Sequence, residues 1–187
     1  AFETYGMTET LSDIAIRKME DPPSEFKCLP HVEITQDKRG CLEVTSDLLQ
    51  VDHFVTNDEI ELLGNQRFRL IGRIDEVINS GGIKLHPQQI ERKLSQVLSA
   101  HFFVGGIKDE ILGEKLILAV KNSPNLKIEK LLEKINKCDK LETYEVPKSI
   151  IVFTDFKETE NGKIIRKETL LLNPPRTNLP SGSTRYS

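Results

Sequence analysis

The sequence predicts an α+β chain in two parts: a small, mostly antiparallel β region, then a compact α+β domain. Residues 13–71 break into short strand-like stretches separated by turn residues. After Arg73 the pattern changes, and amphipathic helical repeats alternate with short apolar runs. At the change stands GRIDEVINSGGIKLHP, residues 72–87, which sets Arg73 and Asp75 ahead of a Gly-Gly pair.

The strand-like stretches of the first part are DIAIRKM, HVEIT, CLEVTS, EIELL and RFRLIG, with turns at DPPS, QDKRG and LGNQ. Their spacing fits an antiparallel region, folded as a distorted barrel. In the second part EVINS and GIKL read as a hairpin. PQQIERKLSQVL places Ile90, Leu94, Val97 and Leu98 on one helical face, with Pro87 suited to the first turn. HFFVGGI and KLILAVK are continuous enough to be buried strands. KIEKLLEKIN repeats the helical pattern through Ile128, Leu131, Leu132 and Ile135. SIIVF is one more strand and KIIRKETLLL a last helix. The order β-β-α-β-β-α-β-α implies a three-stranded sheet, an amino-terminal hairpin and about three helices. The expected divisions are 1–73, a hinge at 74–75, a second domain over 76–172, and a tail over 173–187 whose Pro, Ser and Gly content predicts disorder. The chain starts AFETYGMTET, without Met and in mid-motif, as a piece of a longer polypeptide would.

Composition narrows the function classes. The chain has 187 residues, 37% hydrophobic and 29% charged, with net charge −3. This balance argues against a generally basic nucleic-acid-binding surface. The lysines of KIEKLLEKINK alternate with Glu129 and Glu133 and read as a solvated helix face. The longest apolar run, LILAV at 116–120, is too short to span a bilayer, and no signal peptide is visible. Cys28, Cys41 and Cys138 are few, odd in number and far apart, which favours free thiols in a reducing cytoplasm. His31, His53, His86 and His101 lack zinc-ligand spacing, and there is no Cys-x-x-Cys.

Three short motifs could carry chemistry. Gly162-Lys163 fails as a Walker loop, because Lys157 and Ile164 stand where that loop needs Gly and Ser or Thr. Its bland reading is a turn at Asn161-Gly162 followed by a solvated lysine. In YGMTET, Tyr5 offers a flat face for a base, Gly6 permits close approach, Thr8 offers a hydroxyl to phosphate and Glu9 an oxygen to Mg²⁺. A turn with a helix cap explains the same letters equally well. In VTNDEIEL, Asp58 stands where a strand is expected to begin. A carboxylate there can accept both hydroxyls of a ribose, or be an ordinary turn Asp.

Order and spacing tie these motifs together. YGMTET, TND, GRIDEVINSGGIKLHPQQIE and NGKIIR resemble the carboxyl-terminal motif series of the adenylate-forming superfamily, which includes acyl-CoA synthetases, luciferases and peptide-synthetase adenylation domains. The resemblance covers Phe2 to about Leu172. It implies that the β region ends a large AMP-binding domain and that the second part is a mobile lid. It implies an enzyme that activates a carboxylic acid with ATP and Mg²⁺ and transfers the acyl group to coenzyme A. By the resemblance, Tyr5 packs on adenine with Gly6 and Met7 beside it, and Thr8 meets the α-phosphate. Glu9 helps hold Mg²⁺, Asp58 and Arg73 reach the ribose, and Asp75 is the hinge. Gly81 and Gly82 line the path of the CoA arm, and Lys163 stabilises charge during adenylation.

The chain departs from the family pattern at Asn57 (usually Gly), Lys157 (commonly Pro) and Cys41 (frequently Glu). The family's Ser/Thr/Gly-rich phosphate loop is absent, so this chain alone is expected to be inactive, and its missing amino-terminal domain is an expected partner. Within the superfamily, YGMTETLSDIAIRK and INSGGIKLHPQQIE resemble most the o-succinylbenzoate–CoA ligases of menaquinone synthesis. The alternatives are another acyl-CoA ligase, a peptide-synthetase adenylation domain, or a non-catalytic interaction module that keeps the fold.

Overall fold

A computed structural model describes residues 1–7, 10, 12–19, 24–48, 51–172 and 176–178. The chain divides into two compact units, 1–76 and 77–187.

The first unit is built on one seven-stranded antiparallel sheet. Its strands are β1 (Phe2–Met7), β2 (Ser12–Lys18), β3 (Phe26–Cys28), β4 (Glu33–Gln36), β5 (Cys41–Ser46), β6 (Val51–Gly64) and β7 (Arg67–Arg73). They are hydrogen-bonded in the order β1-β2-β3-β7-β6-β5-β4. The two end strands, β1 and β4, are not paired with each other among the described residues, so the expected barrel is not closed by backbone hydrogen bonds. Alternation sets the inner face: Ile14, Phe26, Ile34, Leu42, Val44, Ile60 and Phe68 are buried together. β1 and β3 are strands the sequence pattern does not announce, because β1 does not alternate and β3 has only three residues. β6 also starts earlier than expected. Asp58 therefore lies inside a long strand rather than at its start, and shifts of register between Cys41 and Glu43 and between Glu59 and Ile60 flank it.

The second unit opens with the expected hairpin, β8 (Ile78–Ser80) and β9 (Ile83–Leu85). Its two turn residues, Gly81 and Gly82, both have positive φ (59° and 83°), the requirement of a tight hairpin turn. There follow α1 (Pro87–Ser95), β10 (Phe102–Asp109), β11 (Gly113–Lys121), α2 (Ile128–Asn136), β12 (Ser149–Phe153) and α3 (Arg166–Leu171). β11 is central, antiparallel to β10 and parallel to β12. A short strand β13 (Arg176–Asn178) adds antiparallel to β12. The rest of the tail expected to lack structure lies outside the described residues.

The sheet buries both faces. On one face Val104, Leu116, Leu118, Val120 and Ile150 pack with Ile90 and Leu94 of α1 and Leu131 and Ile135 of α2. On the other, Phe103, Ile117, Ala119, Ile151 and Phe153 pack with Phe156 and with Leu170 of α3. This is why LILAV reads as a continuous apolar run. The last helix starts three residues later than KIIRKETLLL suggests, at Arg166, so Lys163 stands on the preceding loop. No helix among the described residues is long and apolar enough to cross a membrane.

Leu94 is fully buried, whereas Leu171 is 81% exposed. Leu94→Ala should destabilise the second unit by about 2–5 kcal/mol in a urea titration. Leu171→Ala should stay within about 0.5 kcal/mol of the parent.

Candidate functional site

In the first unit the site begins with three aromatic rings. Phe26 and Phe68 stack at 5.3 Å between centroids, and Tyr5 meets them at 5.5 and 5.4 Å in tilted and edge-on arrangements. Such offset geometries suit the ring quadrupoles. They hold Tyr5 on β1 with its hydroxyl aimed at β6, where it donates a hydrogen bond to Oδ2 of Asp58. The other carboxylate oxygen, Oδ1, is 3.4 Å from Nη1 of Arg73, the residue opposite Asp58 on β7. Arg73 is also bidentate to Asp75, with Nε–Oδ1 and Nη2–Oδ2 both 3.0 Å. Those bonds, with the charges of Asp58 and Glu76, raise the guanidinium above its already high pKa, so it is a permanent cation.

The structure thus brings Tyr5, Asp58, Arg73 and Asp75 into one chain of contacts. Gly6 and Met7 adjoin Tyr5 on β1, at a bulge between Tyr5 and Gly6. A Cβ at Gly6 would lie 2.7 Å from the Ser12 carbonyl oxygen and 2.9 Å from the Asp13 Cα. Gly6 is therefore demanded by the closeness of β2 rather than by an unusual φ. Thr8 and Glu9 lie outside the described residues. Among the described residues no group of three His, Cys, Asp or Glu could hold a metal ion.

The Asp58 backbone is fixed by neighbours that the motif TND only hints at. Thr56, 6% exposed, accepts the Asp58 N–H at 3.0 Å through its hydroxyl. Arg39 reaches the same segment: Nη2 is 3.2 Å from the Thr56 carbonyl and Nη1 3.4 Å from Oδ1 of Asn57. Asp37 holds Arg39 at 2.7 Å, and its other oxygen accepts the N–H groups of Arg39 and Cys41, both at 2.8 Å. The bond from the Cys41 N–H leads the influences that lower the Asp37 pKa. The sequence signal was present in QDKRG, but as turn chemistry, with nothing to say that the Arg would reach across two strands.

In the second unit, Gly81 and Gly82 form the hairpin tip, with the Gly81 N–H bonded to the Leu112 carbonyl at 2.9 Å. Lys163 follows the turn at Asn161-Gly162, where Gly162 has φ +75°. Its side chain is exposed, and no carboxylate pairs with it among the described residues. The loop is anchored by groups the sequence reading passes over. Thr169 is fully buried, and Nη2 of Arg166 contacts both carboxylate oxygens of Glu91 on α1.

No family model matches the chain. An acyl-CoA synthetase of Alternaria alternata is 30% identical over 128 residues, 66% of this chain and 23% of that protein. Among solved structures, an AMP-forming acyl-CoA synthetase/AMP-acid ligase II-like protein of Dyadobacter fermentans is 33% identical, covering 91% of this chain and 50% of that one, with TM-score 0.50. An o-succinylbenzoate–CoA synthetase of Bacillus subtilis, solved with its acyl-adenylate intermediate, shares the fold at TM-score 0.78 and 20% identity. It covers 95% of this chain and 42% of its own. The chain spans between 15% and 40% of the length of curated relatives it matches.

Gly6→Ala should force β1 off β2 and destabilise the first unit by about 1–3 kcal/mol, because backbone atoms cannot yield as a side-chain tip would. A denaturant titration reads the loss, and near-ultraviolet circular dichroism reads the displaced Tyr5.

Proposed function

We propose that this chain, which belongs to the adenylate-forming superfamily, is the carboxyl-terminal part of an ATP-dependent acid–CoA ligase. The observation that carries the reading is the Asp58 carboxylate, held between the Tyr5 hydroxyl and Arg73 beside an aromatic cluster. A carboxylate oxygen has two acceptor sites, so each Asp58 oxygen can take a ribose hydroxyl while keeping its present partner. The half-buried Tyr5 ring offers an adenine a rigid flat neighbour. Arg73 braces Asp58 through the strand pair.

In the proposed reaction a carboxylate oxygen attacks the α-phosphorus of ATP. The bond to the bridging oxygen breaks and pyrophosphate leaves. A thiolate of coenzyme A then attacks the acyl carbon and AMP departs with the electron pair. Lys163 supplies a fixed positive charge to the phosphoryl oxygens in the first step, where negative charge accumulates. Glu9 is proposed to lend an oxygen to Mg²⁺. Gly81 and Gly82, whose lack of side chains leaves the hairpin tip slim, are proposed to border the CoA arm in the second step. Asp75 is proposed as the pivot between the two steps, a hinge mechanism. It precedes the boundary between the compact units at residues 76 and 77, and its salt bridge to Arg73 is exposed enough to break cheaply.

For the acid itself we propose o-succinylbenzoate, on the motif wording of the chain. A cytoplasmic setting suits an enzyme consuming ATP and CoA with free thiols at Cys28, Cys41 and Cys138. Pyrophosphate release by the intact enzyme tests the substrate, with o-succinylbenzoate, benzoate, acetate and a long-chain fatty acid as the panel. A preference for any of the other three would retire o-succinylbenzoate and leave the ligase reading standing.

Lys163→Ala should slow adenylation about 10²–10³-fold and spare thioester formation from preformed adenylate. Equal losses in both steps would refute the assignment. Asp75→Pro should keep adenylation and lose thioester formation; an unchanged thioester rate would remove the pivot.

A further inference from the structure

We infer that Thr169, together with the Glu91–Arg166 pair, positions Lys163 by latching both ends of its loop; this rests on the role proposed for Lys163. The loop is a closed ring of chain. At its tip the Gly162 N–H bonds the Thr159 carbonyl at 2.9 Å. The Lys163 N–H reaches the Thr159 hydroxyl at 3.1 Å, and the Thr159 N–H reaches the Lys163 carbonyl at 2.8 Å. At its base the Ile165 N–H bonds the Lys157 carbonyl at 2.7 Å. Here Thr169 enters. Its hydroxyl donates to the Ile165 carbonyl at 3.0 Å and accepts the Lys157 N–H at 2.9 Å.

A helical threonine that only bonded back to the residue four before it would be commonplace. Thr169 does more, because Lys157 lies on the incoming side of the loop, twelve residues away. One fully buried hydroxyl therefore joins the two strands of chain that carry Lys163.

The second latch fixes where that base sits in its own unit. Arg166 Nη2 is 3.0 and 2.8 Å from the two oxygens of Glu91 on α1. Glu91 Oε1 also accepts the Val104 N–H at 2.7 Å, on the open edge of β10. α1 and α3 pack on opposite faces of the sheet, so Glu91 ties them around that edge. Gly105 lets α3 come close: a Cβ there would lie 3.1 Å from Leu170 Cδ1.

The test uses the intact enzyme that contains this chain, with the acid that gives most pyrophosphate release. Adenylation and thioester formation from preformed adenylate are measured separately for Thr169→Val, Thr169→Ser, Glu91→Gln and Lys163→Ala. Thr169→Val should slow adenylation about 10–100-fold, the range expected when a reacting group is displaced by up to an ångström. It should leave thioester formation unchanged, and Thr169→Ser, which restores a hydroxyl, should recover most of the loss. Glu91→Gln should shift the same step in the same direction by a smaller factor, and it decides the matter if Thr169→Val fails to fold. If Lys163→Ala separates the two steps while the Thr169 and Glu91 variants slow both equally or neither, the latch is overturned. If Lys163→Ala does not separate them, the function proposed for Lys163 fails, and the latch with it.

Discussion

The second unit depends on a single strand having no solvent face. Leu116 to Val120 of β11 are all fully buried, so the sheet needs cover on both sides. α1 and α2 supply one layer; Phe156 and α3 supply the other. That demand fixes the course of the chain after β12. It must turn toward the face opposite α1, where Phe156 packs, and place a short helix there; the loop that carries Lys163 links Phe156 to that helix. A short helix has little stability of its own. Its place is secured by Leu170 over Gly105 and by the Glu91–Arg166 pair. The pair is partly buried, with side chains near 20% exposed, so solvent screens it less than a surface contact.

The first unit solves a different problem, holding a carboxylate in place inside a long strand. Strands present side chains at fixed intervals, so a bulge or shift of register re-aims them. Such shifts occur beside Asp58 on both neighbouring strands, and another occurs at Gly6 beside Tyr5. The aromatic cluster gives Tyr5 a rigid seat, and Arg17, buried beneath it, lies 4.2 Å over the Phe26 ring while paired to Glu3 at 2.7 Å. The result is a carboxylate whose two oxygens have partners from β1 and β7 and whose backbone is held through Thr56 and Arg39.

How much of this was legible in the sequence follows from what each feature depends on. Elements defined by periodicity were readable. Ile90 and Leu94 mark α1, Leu131 and Ile135 mark α2, and the Gly-Gly hairpin follows from a φ requirement few other residues meet. β3 was not readable, because a three-residue strand has no period. Asp58 was misplaced to a strand start because the polar run VTND hides a strand whose one face is exposed. The latches were invisible for a further reason. Thr169, Glu91 and Arg39 act through partners 12, 75 and 17 residues away, and each looks locally like a solvated helix or turn residue. Only the fold brings those partners within hydrogen-bonding distance.

The contrast between Arg166 and Lys163, three residues apart, shows how charge is divided in this loop. Arg166 is committed: bound through Nη2 to both oxygens of a carboxylate, it gives up its freedom to fix the backbone. Lys163 is left exposed, with no carboxylate to neutralise it among the described residues. An ammonium already paired within its own unit would have to break that pair before meeting a phosphoryl anion, and the broken partner would repel the same anion. A solvated lysine on an anchored backbone avoids both penalties. It loses hydration only when the anion replaces the water, and the loop has already spent the backbone entropy. A rigid base with an uncommitted tip is therefore the arrangement expected of a group that acts only when its target arrives.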